Sequence, residues 1–185
     1  MNEILDRAAS KAALDKGETL ETVSTPALVL DLDRFDRNVA RLKGLMAKHG
    51  VTLRPHLKTA KSIDVARRFF PDGPGPITVS TLAEAEYFAS AGFTDITYAV
   101  GLDPSKAPRA AKFHAGGVDL KVTLDTVEQA VALGAAGKAA GSCPAAFIEV
   151  DCDGHRGGIV PADPLLIAVA GALRDAGVPL AGVLT

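Results

Sequence analysis

The amino-acid sequence predicts an α/β fold built on a parallel sheet, and three observations lead there. Short apolar runs alternate with stretches of helical periodicity from about Ala27 to the last residue. Helix openings are marked at Thr81-Leu-Ala-Glu84, Asp103-Pro104, Thr126-Val-Glu-Gln129 and Asp163-Pro164. Each interval between successive strands therefore carries a helix, and crossovers of that kind join strands that run parallel.

In chain order, Ala27–Asp31 reads as a leading strand. Asp33 then caps a helix in which Phe35, Val39, Leu42 and Met46 recur at helical spacing, with Lys48 and Gly50 as its stop. Val51 and Leu53 form a short strand whose pairing should end near Pro55, which has no N–H to give. A helix carrying Val65, Ala66 and Phe69 begins near Ser62, and the Pro/Gly cluster of residues 71–76 closes it. Strands follow at 77–80, 95–100, 118–124, 145–150 and 180–184, with helices between them. Gly134 and Gly137 weaken one helix near its end, and Gly177 stops another. Setting Ala27–Asp31 aside, the count is about six strands. A doubly wound open sheet also satisfies this pattern. No Gly-x-Gly-x-x-Gly follows the early strands, so that reading lacks its phosphate loop.

Composition narrows the function. A chain of 185 residues with 48 % hydrophobic content can bury one sizeable core. The formal net charge is −2 with no basic stripe, so nucleic acid is not an expected partner. No apolar run approaches the roughly 20 residues that span a bilayer. Residues 1–21 mix charge with alanine and do not form a signal peptide; a short surface helix or loose arm is expected. Two thiols, Cys143 and Cys152, without a C-x-x-C, point to a reducing cytoplasm.

The chemistry concentrates in Val51-Thr-Leu-Arg-Pro-His-Leu-Lys-Thr-Ala-Lys61, at a strand-to-helix junction where α/β folds place reactive groups. Lys58 is expected to be crowded by Arg54, Lys61 and His56, which disfavours its ammonium form and suits it to attack a carbonyl. A basic loop of solvated lysines is the plainer reading. A second stretch, Asp153-Gly-His-Arg-Gly-Gly158, forms a tight turn after a strand, its glycines permitting positive φ and close approach to a ligand. Asp151, Asp153 and His155 could together hold a divalent metal, as in a metal-dependent barrel hydrolase or epimerase.

Three motifs in order carry a resemblance. Arg54-Pro-His-Leu-Lys-Thr-Ala-Lys-Ser62 resembles the R-P-H-x-K-T-H-K-S signature of the D-serine dehydratase-like and D-threonine aldolase family, pyridoxal phosphate (PLP) enzymes. Thr25-Pro-Ala-Leu-Val-Leu-Asp-Leu-Asp33 resembles the family's leading strand, and Asp151-Cys-Asp-Gly-His-Arg-Gly-Gly158 its D-x-G-x-x-R-x-G block. The similarity runs from about Thr25 to the end, with Ala60 where the family usually shows histidine. It implies a PLP-binding (β/α)8 TIM barrel of the alanine racemase type, followed by a C-terminal β-domain. A full barrel needs eight strands and roughly 250 residues. The expectation is therefore a fragment or truncated gene product: an N-terminal arm at 1–24 and an incomplete barrel at 25–185, without the β-domain. The late loops that hold the cofactor phosphate, and the ligands of a divalent metal in the full-length protein, would lie outside this chain. Such an open barrel exposes strand edges and invites self-association.

The resemblance also implies roles. Lys58 would form a Schiff base with the PLP aldehyde and shuttle the α-proton, with PLP as electron sink. Arg156 would contact the ring-hydroxyl side of the cofactor. His56, two residues before Lys58, would orient the cofactor or relay a proton, and is equally a structural histidine. Thr185, at the end of the last strand, would line the mouth of the site unless it is a loose terminus. The implied activity is a lyase acting on D-3-hydroxy amino acids such as D-serine or D-threonine, by dehydration or retro-aldol cleavage, in a cytoplasmic homodimer. Racemisation, PLP binding without turnover and an inactive remnant are the alternatives.

Overall fold

The computed structural model describes residues 19–185, so most of the expected N-terminal arm lies outside the described residues. The chain divides into two compact units, residues 1–41 and 42–185. In the first, the N–H groups of Thr22 and Val23 close a turn on the Thr19 carbonyl. Helix α1 (Leu32–Lys48) starts there and continues into the second unit. Its cap is Asp31 rather than the expected Asp33: Asp31 Oδ1 accepts the Arg34 N–H at 3.0 Å, and Asp33 lies within the first turn, near the positive end of the helix. Ala27–Asp31 is not a strand: it joins no ladder, and Leu28, Val29 and Leu30 are exposed. An apolar run alone does not make a strand, because its backbone groups need a neighbouring chain to pair with.

The second unit is a parallel sheet of five strands: β1 (Ile77–Val79), β2 (Asp95–Gly101), β3 (Asp119–Leu124), β4 (Ala145–Glu149) and β5 (Leu180–Leu184). The expected sixth strand, at Val51–Leu53, is reduced to one bridge between His56 and Thr78. Pairing begins at Pro55 where it was expected to end. The Pro55 carbonyl accepts the Thr78 N–H, and the Leu57 N–H donates to the Thr78 carbonyl, both at 2.9 Å. The missing N–H of Pro55 is not needed on the side that faces β1.

Helices α2 (Ile63–Phe69), α3 (Leu82–Ala89), α4 (Ala107–Ala115, preceded by a 3-10 turn), α5 (Val127–Ala140) and α6 (Leu165–Asp175) fill the crossovers. Their caps follow the sequence signals. Thr81 accepts the Glu84 N–H, Thr126 and Gln129 form a reciprocal capping box, and Asp103 accepts the Ser105 N–H. The strand order β1-β2-β3-β4-β5 never reverses. A doubly wound sheet requires a reversal, so this is part of a barrel. Right-handed crossovers put the helices on one face, where Ile77, Val79, Ile96, Tyr98, Leu120, Val122, Leu124, Ala146 and Ile148 are buried. Phe88 and Phe93 meet edge-to-face with centroids 6.0 Å apart beneath them.

Gly134 and Gly137 do more than weaken α5. A Cβ on Gly134 would sit 2.6 Å from the Ala176 Cβ and carbonyl oxygen, and one on Gly137 would sit 2.5 Å from the Cys143 Cβ. Both glycines let α5 approach its neighbours more closely than any side chain would allow.

Candidate active site

Because all strands are parallel, every strand delivers its last residues to the same edge. There lie His56 and Lys58 beside β1, Ser80 after β1, Asp125 after β3, the Asp151–Gly158 turn after β4, and Thr185 after β5. The opposite edge is structural. Arg54 donates there to the Ile77 and Asp95 carbonyls at 3.3 Å and to Asp95 Oδ2 at 2.9 Å, and Lys121 reaches Asp95 Oδ1 at 3.0 Å. Burial pushes the Asp95 carboxyl up, but hydrogen bonds and charge from Arg54 and Lys121 outweigh it and hold the group below the usual carboxylate range.

The crowding expected around Lys58 is therefore not realised as such. Arg54 is committed to Asp95 at the far edge, and the Lys61 ammonium lies 3.0 Å from Glu84 Oε1. Lys58 itself is exposed and makes no ion pair among the described residues. Its neighbour is His56. The Lys58 backbone N–H donates to His56 Nδ1 at 3.3 Å, which leaves the ring proton on Nε2, 3.4 Å from Ser80 Oγ. Partial burial and then the Lys58 charge lower the His56 pKa, with the Glu84 charge opposing, so the balance shifts toward the neutral imidazole.

The turn after β4 is organised by two carboxylates. Asp151 accepts the Gly154 N–H through Oδ1 at 3.0 Å and the Arg156 N–H through Oδ2 at 3.3 Å. Asp125 Oδ2 accepts the Gly158 N–H at 3.2 Å and so ties the turn to the end of β3. Gly158 has φ +111°, and a Cβ there would meet the Asp151 nitrogen at 2.9 Å. The turn consequently requires glycine at this position. Thr185 Oγ1 donates to Cys152 Sγ at 3.0 Å, which brings the last strand against the same turn. Glu149, the last residue of β4, has its pKa raised by burial and then by the Asp125 charge, with Arg156 opposing.

Two clusters thus share one edge, Lys58 with His56 beside β1 and Arg156 with Thr185 around β4 and β5; β2 and β3 lie between them. Asp151, Asp153 and His155 do not form a metal centre. The Asp151 carboxylate is occupied by backbone N–H groups, and among the described residues no group of three or more metal-ligating side chains converges. Sequence reasoning missed Ser80, Asp125 and Glu149. Their signal was available: each is the last or next residue at the carboxyl end of a parallel strand.

The family model described as "Alanine racemase, N-terminal domain" matches residues 30–185. The chain belongs to that family. Within this racemase-like domain family, the chain is 48% identical over 169 residues to D-threo-3-hydroxyaspartate dehydratase of Delftia sp. (strain HT23), covering 91% of this chain and 44% of that protein. It is 32% identical over 139 residues to 3-hydroxy-D-aspartate aldolase of Paracoccus denitrificans, covering 74% of this chain and 36% of that one. The solved structure of the Delftia dehydratase superposes with a TM-score of 0.85 over 91% of this chain and 45% of its own length. That of D-threonine aldolase from Filomicrobium marinum, 32% identical, gives 0.78 over 89% and 44%. Alanine racemase of Clostridium difficile 630, at 16% identity and TM-score 0.69, shares the fold. The chain spans under half the length of the curated relatives it matches.

Proposed function

We propose that residues 25–185 form the cofactor-bearing barrel portion of a PLP-dependent lyase acting on D-3-hydroxy amino acids. The observation that carries this reading is the placement of Lys58. It is an exposed amine with no carboxylate partner among the described residues, on the carboxyl edge of a racemase-like barrel, in a chain whose more similar relatives are dehydratases and aldolases. The relation to alanine racemase is far more distant, which favours a lyase over a racemase.

The residues present fit the cofactor. Lys58 offers a primary amine for its aldehyde, and the neutral imidazole of His56 stands beside that amine without adding like charge. Arg156, in a turn that admits close backbone approach, supplies a cation for the ring-hydroxyl side, and Thr185 supplies a hydroxyl at the mouth. When bound, PLP supplies an electron sink that stabilises charge left on the substrate Cα as a bond there breaks. Lys58 would then hold and return the α-proton, while Asp151 and Asp125 keep Arg156 and its turn in place. Loss of the Cα hydrogen and the Cβ hydroxyl releases water, and hydrolysis of the resulting enamine gives a 2-oxo acid and ammonia. Cleavage of the Cα–Cβ bond gives glycine and an aldehyde instead. A divalent metal in the full-length protein, with ligands outside this chain, is part of this reading; a solved structure of the related dehydratase is described as a metal-free form. The family resemblance further implies a cytoplasmic homodimer as the form of the full-length protein.

Assays with PLP on D-threo-3-hydroxyaspartate, D-serine, D-threonine and D-alanine test this. The reading expects 2-oxo acid with ammonia, or glycine with aldehyde, from a 3-hydroxy substrate of the full-length protein, and loss of product in Lys58→Ala. Racemised D-alanine without either product set overturns it.

A further inference from the structure

The loop that presents Lys58 is gripped from both sides by one buried carboxylate, and nothing so far assigns that group a role. Glu84 lies in the first turn of α3 and is 7 % exposed. Its Oε2 accepts the Ser80 N–H at 2.8 Å, and its Oε1 lies 3.0 Å from Lys61 Nζ. Ser80 also faces His56 Nε2 through its hydroxyl, and His56 Nδ1 accepts the Lys58 N–H. A continuous polar chain therefore runs from Lys58 through His56 and Ser80 to Glu84, and on to Lys61 at the far end of the same loop.

The backbone shows why a grip is needed. The Lys61 N–H closes a turn on the Leu57 carbonyl at 2.9 Å, so Lys58, Thr59 and Ala60 form a tight loop. Lys61 adopts φ +47°, the left-handed region that costs a non-glycine residue free energy. Such a conformation persists only where surrounding contacts fix it, and the ion pair to Glu84 is such a contact. Burial raises the Glu84 pKa, but the Ser80 N–H and Lys61 outweigh it, so the carboxylate stays charged.

We propose that Glu84 is the positioning residue of the lysine loop, its carboxylate holding Ser80 and Lys61 together so that Lys58 is presented to the cofactor in one conformation. This rests on the reading of Lys58 as the cofactor-holding lysine, and two separate readouts keep the two ideas apart. The first needs no cofactor: amide hydrogen exchange of residues 57–61 in the unliganded chain. The second is borohydride trapping of added PLP on Lys58, followed by peptide mapping. Glu84→Gln removes the charge, and Lys61→Met removes its partner while leaving Glu84 intact should the first variant fold poorly. In either folded variant, exchange at residues 57–61 is expected to rise at least tenfold over the rest of the sheet, and trapping at Lys58 to fall about as much. The His56 ring, followed by NMR, should titrate at lower pH in Glu84→Gln, because the Glu84 charge supports its protonated form. Unchanged exchange in both folded variants overturns the proposal, as does faster exchange with undiminished trapping. If neither the wild-type chain nor the full-length protein traps PLP on Lys58, the functional reading fails, and the exchange comparison still decides the role of Glu84 as the loop's grip.

Discussion

Arg54 and Lys58 stand four residues apart in one motif and act on opposite edges of the sheet. Arg54 bridges the starts of β1 and β2 through two carbonyls and Asp95, so Arg54→Ala should lower stability by about 1–2 kcal/mol, the range for partly exposed charge-assisted bonds. The pH dependence has a definite sign. Asp95 is more acidic folded than unfolded, so its contribution is complete above about pH 4 and is lost as the pH falls through the lower folded value. The difference in melting temperature between wild type and Arg54→Ala should persist at pH 7 and shrink below about pH 4. A constant difference across that range would assign Arg54 to packing alone. Lys58, His56 and Arg156 were singled out as candidates because their motif spacing marks them, and the structure sets them along one edge of the sheet. The groups that hold their loops were not, because the fold brings Glu84 to Lys61 across 23 residues of chain and Asp125 to Gly158 across 33.

At the scale of elements, capping chemistry was read well because it is local: Thr81, Asp103 and Thr126 each bond an N–H two or three residues on. Strands were read less well, since pairing is not local. Ala27–Asp31 and Val51–Leu53 are apolar enough for strands yet lack ladders, whereas the five strands between Ile77 and Leu184 each have a neighbour. Helix glycines show the same limit. Propensity marks Gly134 as a weakness, and packing makes it a requirement, with Ala176 only 2.6 Å from where a Cβ would stand. Gly134→Ala should therefore destabilise by about 1–3 kcal/mol despite its higher helix propensity. A raised melting temperature would mean that α5 and the end of α6 can separate without cost.

For the molecule as a whole, β5 has β4 as its one neighbour in the sheet among the described residues and leaves Leu180 and Val183 exposed at 53% and 68%. Unpaired backbone with apolar side chains is a template for association. Sedimentation velocity on this chain should show concentration-dependent self-association that Val183→Lys reduces; a monomer at all concentrations would show the edge to be inert. The parallel α/β class was legible from alternation and helix openings, the barrel was implied by the family resemblance, and the sheet order β1-β2-β3-β4-β5 then decided between barrel and doubly wound sheet. The central claim concerns one amine. Borohydride reduction of the chain with PLP, followed by peptide mass mapping, should place a phosphopyridoxyl adduct on Lys58 and on no other lysine to a comparable extent. Adducts spread over the surface lysines with Lys58 unmarked, in this chain and in the full-length protein alike, would contradict it.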